Sequence, residues 1–215
     1  KQRVGLRGIV DDDKWRVGGE FRETVQHLLT GCKMLAGTEY LRRHDNALKV
    51  LAVKWAIDNG VLPEGTKWYK EKWEKGKVIE GNGKKLYWDW EHRMRVSCVA
   101  RRPDLTIEDS EKKIIMIIDM ACPNEANKEE KRLEKIRKYQ QLCFELRERR
   151  VGFKVKVVPA VIGCLGGGMK MLKRDINELF EKETDMNQTI REMQKTVLWE
   201  SETIMRKIFS GLLFN

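Results

Sequence analysis

The sequence predicts a mixed α/β sheet with crossover helices, and three observations lead there. Two short apolar segments, 104–108 and 113–120, flank the polar turn EDSEKK and suggest two strands. A strongly amphipathic stretch follows from 125 to 149, with Leu133, Ile136, Cys143 and Leu146 on one helical face. Then GFKVKVVPAVIG (152–163) alternates lysine with valine, the period of a strand. The order strand, strand, helix, strand calls for a sheet with helices packed on it.

The remaining elements follow in chain order. Residues 1–20 are polar and aperiodic, so they are expected to form a loop. A short helix is expected over 22–30, ending near Gly31. Thr38 is a candidate N-cap for a longer helix, in which Leu41, Leu48, Leu51, Ala52 and Trp55 recur at helical spacing until Gly60. Residues 61–85 carry Pro63, several glycines and many lysines and suggest a basic loop, with a strand over 86–100. GCLGGGMK (163–170) lacks the Gly-Lys-Ser/Thr of a phosphate-cradling loop, which favours a simple strand-to-helix turn before a helix at 169–182. In the tail, Met186, Ile190, Met193, Val197, Ile204 and Ile208 fall on one helix face, the pattern of a core stripe or a coiled-coil seam. The expected units are 1–60, 61–182 and a C-terminal helix 183–215.

Composition narrows the partners. The chain has 215 residues, a formal net charge of +10 and 35% charged residues, which suits a phosphate-rich partner whose counterions are released on binding. No stretch approaches the roughly 18 apolar residues of a membrane-spanning helix, so no membrane partner is expected. The five cysteines, Cys32, Cys98, Cys122, Cys143 and Cys164, are scattered and odd in number, which argues against a disulfide framework and for a reducing compartment. The first residue is Lys rather than Met, as in an excised piece of a longer polypeptide.

The candidate chemistry sits in RRPDLTIEDSEKKIIMIIDMACP (101–123). A carboxylate at the end of a buried strand costs several kcal/mol unless something pairs with it. If 104–108 and 113–119 form an antiparallel hairpin turning between Glu111 and Lys112, Asp104 falls opposite Asp119. Two such carboxylates would repel in the absence of a cation, and a slip of one residue would separate them. Hard oxygen ligands of this kind suit magnesium, which takes one or two carboxylates and completes its shell with water and phosphate. Lys135 and Lys138, three apart on the following helix beside Tyr139, offer positive charge for a phosphodiester oxygen. The plain structural alternative is that Asp104 merely starts a strand after Pro103 and Asp119 ends one.

RPD, fourteen further residues and then Asp119 resemble the signature of the restriction-like endonuclease domain of non-LTR retrotransposons, carried downstream of the reverse transcriptase. HLLTGCKMLAGTEYLRRHDNALKVL (27–51), EKIRKYQQL (134–142) and KVVPAVIGCLG (156–166) are similar to the same family, so the resemblance covers most of 22–170. It implies a restriction-endonuclease-like fold of the PD-(D/E)XK type, with a mixed central sheet flanked by helices and helical additions at both ends. It also implies Mg²⁺- or Mn²⁺-dependent nicking of target DNA for target-primed reverse transcription, in the nucleus. The reverse transcriptase portion and the element's RNA would be further partners. Asp104 and Asp119 become the metal ligands, and Arg102 a phosphate contact. Ala121 stands where many related nucleases carry a lysine, so the catalytic lysine is expected on the next helix, as Lys135 or Lys138, with Tyr139 beside it.

The family also carries a zinc knuckle upstream of the nuclease. His27 and Cys32 retain its later spacing, whereas Trp15 and Gly18 replace the two earlier cysteines. A structural zinc site wants four ligands, so a filled one is not expected; His44 is a candidate third ligand, or a plain core or surface residue of its predicted helix. KWYKEKWEKGK (67–77) interleaves Trp68, Tyr69 and Trp73 with lysines including Lys67, Lys70 and Lys72. That pattern fits either a single-strand stacking surface or tryptophans capping the sheet. Three functions therefore compete: a DNA endonuclease, a domesticated or weakly catalytic nucleic-acid-binding module on the same fold, and an interaction protein pairing through the 184–213 helix.

Overall fold

The computed structural model describes residues 24–95 and 100–210. The chain begins with helix α1 (Val25–Thr30), capped by the Thr24 side chain, and a short turn α2 (Lys33–Leu35). A π-helical turn over Ala36–Tyr40 leads directly into α3 (Leu41–Asp58). Thr38 therefore lies inside continuous helical backbone and does not cap α3, a correction to the expected start. The Tyr40 hydroxyl donates to the carbonyls of His27 and Leu28 and accepts from the Cys32 amide, which folds 33–40 against α1.

The stretch expected to be a basic loop holds a hairpin instead. Strands β1 (Lys77–Gly81) and β2 (Lys84–Trp88) pair antiparallel about Asn82-Gly83, both at positive φ. Asn-Gly is the standard two-residue hairpin turn because both positions accept that geometry. The expected strand over 86–100 accordingly starts earlier and ends at Trp88, with 96–99 outside the described residues. β2 pairs antiparallel with β3 (Leu105–Asp109), and β3 with β4 (Ile114–Ala121). β5 (Lys154–Val161) runs parallel to β4 and closes a five-stranded sheet in sequential order.

β4 explains its own greasiness. It is covered on both faces, as near-continuous apolar strands are. Ile115 and Ile117 pack with Tyr139, Leu142, Cys143 and Val155, whereas Met116, Ile118 and Met120 join the larger core on the other side. The first layer is built by α4 (Lys128–Lys138) and α5 (Gln140–Arg149). The second is built by α3, α6 (Met169–Ile176) and α7 (Glu183–Phe209). Fully burying one such Ile or Leu stabilises the fold by about 1.5–3 kcal/mol. The stripe of Met186, Ile190, Met193, Val197, Ile204 and Ile208 is buried within this fold, so it is core and is not left free to pair chains.

The single helix expected over 125–149 is two. It breaks at Tyr139, whose φ of −104° and ψ of 11° leave the α region, and its amide turns to the Arg137 carbonyl. GCLGGGMK is the turn from β5 to α6, as expected. There the Glu125 carboxylate accepts from the amides of Leu165 and Gly167, and a Cβ at Gly167 would collide with it.

Candidate functional site

The expected hairpin register holds. Leu105 pairs with Ile118 and Ile107 with Met116, so continuing the ladder by one step sets Asp104 across from Asp119. Asp104 lies just before β3, with its carbonyl accepting from the Asp89 amide at 2.8 Å. Its side chain bends over the end of β4: Oδ2 accepts from the Met120 amide at 2.7 Å and meets His44 Nε2 at 3.0 Å. Oδ1 has no hydrogen-bond partner among the described residues.

Asp119 is answered from the opposite face. Only 1% of it is exposed, yet the Tyr139 hydroxyl donates to Oδ1 at 2.6 Å, Lys138 Nζ approaches Oδ1 at 3.4 Å, and Lys135 Nζ pairs with Oδ2. The break between α4 and α5 is what brings Tyr139 inward to this position, fully buried. Lys135 reaches the acid from the last turn of α4, with its side chain 16% exposed against 40% for Lys138. Lys138 lies over the Tyr139 ring at 4.6 Å, a cation–π contact.

The two acids were expected to repel. Instead each carries its own cation, because α3 supplies His44 on one side and α4 supplies Lys135 on the other. Burial works against the His44 imidazolium, but bonds to Asp104 and Asp45 outweigh it and hold its pKa at about 10. Burial likewise opposes ionisation of Asp104, and the His44 bond and charge, the Met120 amide and Lys135 together hold its pKa below the ordinary value. Burial and the neighbouring Asp119 carboxylate push the Tyr139 phenol upward, so it remains a proton donor to that carboxylate.

A cleft of about 600 Å³ opens beside Asp104, lined by His44, Asp45, Trp73, Lys75 and Asp89 among others. Trp73 packs edge-on against Trp88 at 5.2 Å between ring centroids, on the cleft wall. Arg102, expected to contact phosphate, is engaged by the Asp89 carboxylate through Nε at 2.6 Å and Nη2 at 2.9 Å. Asp89 itself sits at a positive φ of 45°, uncommon for a residue with a side chain.

The structure thus gathers Asp104, Asp119, Lys135, Lys138 and Tyr139, with Arg102 and Trp73 at the rim. It leaves others apart. Trp68 bonds Glu192 of α7 through Nε1 at 2.7 Å, and Lys67, Lys70 and Lys72 are exposed. Cys32 is buried in an apolar cluster with Leu28, Leu35, Cys164 and Ile204, and His27 is half-buried on α1. Trp15 and Gly18 lie outside the described residues.

Two site residues escaped the sequence reading. His44, a candidate zinc ligand or plain core or surface residue in the sequence, stands four before the buried Leu48, where a partly buried imidazole needs a partner. Asp89 gave no signal in LYWDWEHRM, because its role follows from a backbone turn.

The donor set fits a hard divalent ion. Two carboxylates at one strand end, one with a free oxygen, match magnesium, which leaves the rest of its shell to water and phosphate. No cluster of three or more His, Cys, Asp or Glu able to hold a metal occurs among the described residues. The chain matches no protein-family model and no curated protein.

Proposed function

We propose that the chain is a metal-dependent DNA endonuclease of the kind carried by non-LTR retrotransposons, nicking target DNA so that a reverse transcriptase can prime from the exposed end. The observation that supports it best is the joint placement of Asp104, Asp119 and Lys135, each delivered by a different element to one end of the sheet. The restriction-endonuclease-like fold belongs to the same reading. So do a nuclear location, target DNA and element RNA as partners, and the attached reverse transcriptase.

Asp104 and Asp119 would hold Mg²⁺ or Mn²⁺, an ion that polarises a phosphodiester oxygen and supplies a hydroxide-like nucleophile near neutral pH. The chain's own groups do the rest. His44 fixes the Asp104 carboxylate through Oδ2, while Oδ1 has no hydrogen-bond partner among the described residues. Tyr139 fixes Asp119 through a short hydrogen bond. Lys135, the more enclosed of the two lysines and in contact with Asp119, would neutralise charge on a phosphate oxygen as water adds and the P–O bond breaks. Arg102 would exchange Asp89 for a phosphate at the rim.

A second reading, binding without cleavage, is favoured by one observation: Asp119 already accepts from Tyr139 through Oδ1 and is ion-paired with Lys135 through Oδ2, although Oδ2 makes no hydrogen bond among the described residues. Incubating the purified chain with supercoiled plasmid separates the two. The endonuclease reading expects open circles in magnesium and none in EDTA, whereas retarded but uncut plasmid in both would support the binding module.

A further inference from the structure

On the sheet face covered by α3 and α7, a second and shallower cleft of about 490 Å³ lies between the turn Trp68–Lys70 and helix α7. Its walls are aromatic. Trp68 and Tyr69 meet edge-to-face at 5.7 Å, and Trp199 stands opposite on α7. Tyr69 is 62% exposed and Trp199 is 68% exposed, the most solvent-open tryptophan among the described residues. Rings this exposed contribute little to the core, and their grouping on one cleft, where a lone exposed ring would mean nothing, invites a partner.

The charges around the rings select that partner. Lys195 lines the cleft, and Lys67, Lys70 and Lys72 are exposed on the adjoining segment, none of the four in an ion pair among the described residues. The carboxylates on the same wall are already engaged. Glu192 accepts from the Trp68 indole at 2.7 Å, and Glu200 is held by Arg42 at 2.8 Å and Asn46 at 2.7 Å. Free cations beside open aromatic faces form the combination that binds unpaired nucleic acid, with bases stacking on rings and phosphates meeting lysines.

The cleft is also joined to the acidic site by a short run of chain. Trp68 lines one cleft and Trp73 the other, and the five residue steps between them span at most about 18 Å. An unpaired strand leaving the Asp104 cleft along this segment therefore reaches the rings within the ~4–16 nucleotides of a typical single-strand site.

We propose that Trp68, Tyr69, Trp199 and Lys195 form a platform for single-stranded nucleic acid beside the acidic site. The platform rests on the nuclease reading for the identity of the strand it holds, and its binding needs neither metal nor cleavage.

The test measures fluorescence anisotropy of labelled dT16 and of a 16-base-pair duplex in EDTA, with the full chain and with Trp199→Ala and Tyr69→Ala. Both side chains are exposed, and thermal melts establish that the variants are folded. Each substitution should weaken dT16 binding by about tenfold and duplex binding by less than about twofold. Equal losses on both ligands, or no loss on dT16, would overturn the platform. Concentration-dependent self-association of the unmodified chain, abolished by Trp199→Ala with dT16 affinity unchanged, would also overturn it and assign the face to a second copy. A chain that fails to nick plasmid in magnesium yet shows the selective dT16 loss would retain the platform and lose the nuclease reading.

Discussion

Replacing Tyr139 with Phe probes the way this fold carries a buried carboxylate. The ring is fully buried among Ile115, Ile117, Leu142 and Val155, and Phe preserves that packing while removing one oxygen. What disappears is a 2.6 Å bond to Asp119 Oδ1, on an acid only 1% exposed. Hydrogen bonds to charged groups contribute about 1.5–3 kcal/mol. Lys138, at 3.4 Å and well solvated, can compensate only weakly for the loss. At about 2–4 °C per kcal/mol for a chain of this size, the melting temperature in EDTA should fall by roughly 3–12 °C. A double-mutant cycle with Asp119→Asn isolates the pair and should return a coupling of about 1.5–3 kcal/mol. A coupling near zero would refute the argument that Tyr139 holds this acid. The same substitution should lower plasmid nicking, since Asp119 would lose its orientation.

Two histidines should give opposite pH limbs in metal-free melts. Burial, with Arg149 adding to it, holds His92 at about 4, below its ordinary 6.5, so its contribution is present above pH 6.5 and is lost as pH falls through 4. His44 is held at about 10, so its contribution is complete below pH 6.5 and is lost as pH rises through 10. His92→Gln should flatten the acid limb and His44→Gln the alkaline limb, and unchanged slopes would contradict both assignments. Between the lysines, Lys135→Met should reduce the nicking rate by about 10²–10³-fold, the usual cost of one lost charge-stabilising donor, and Lys138→Met by far less. A larger loss at Lys138 would reverse the assignment. Elemental analysis should find no stoichiometric zinc, and the Trp15→Cys/Gly18→Cys double variant should acquire it; one tightly held zinc in the unmodified chain would contradict this.

Most of the site was legible because it depends on local register. EDSEKK fixes a hairpin, the hairpin sets Asp104 against Asp119, and helical spacing then places Lys135 and Lys138 on the returning helix, with Tyr139 just after it. Three features were not legible, each for a physical reason. The β1–β2 hairpin hid in a lysine-rich stretch because its strands are only partly buried and alternate weakly, although Asn82-Gly83 announced the turn. The break at Tyr139 goes together with a tertiary bond to Asp119, which helix periodicity does not register. The pairing of His44 with Asp104 joins residues sixty apart, and no local pattern encodes it. The cations that answer the two acids likewise come from α3 and α4, which the hairpin does not specify. Removing Asp119 strands Lys135 beside an apolar layer, so its loss should destabilise the chain.

The most direct measurement is the rate of supercoiled-plasmid nicking in magnesium by the unmodified chain and by Asp104→Asn and Asp119→Asn, each confirmed folded by its melt. The account predicts cleavage by the first alone, and none by any of the three in EDTA. Nicking by either Asn variant at the unmodified rate, or undiminished nicking in EDTA, would contradict it.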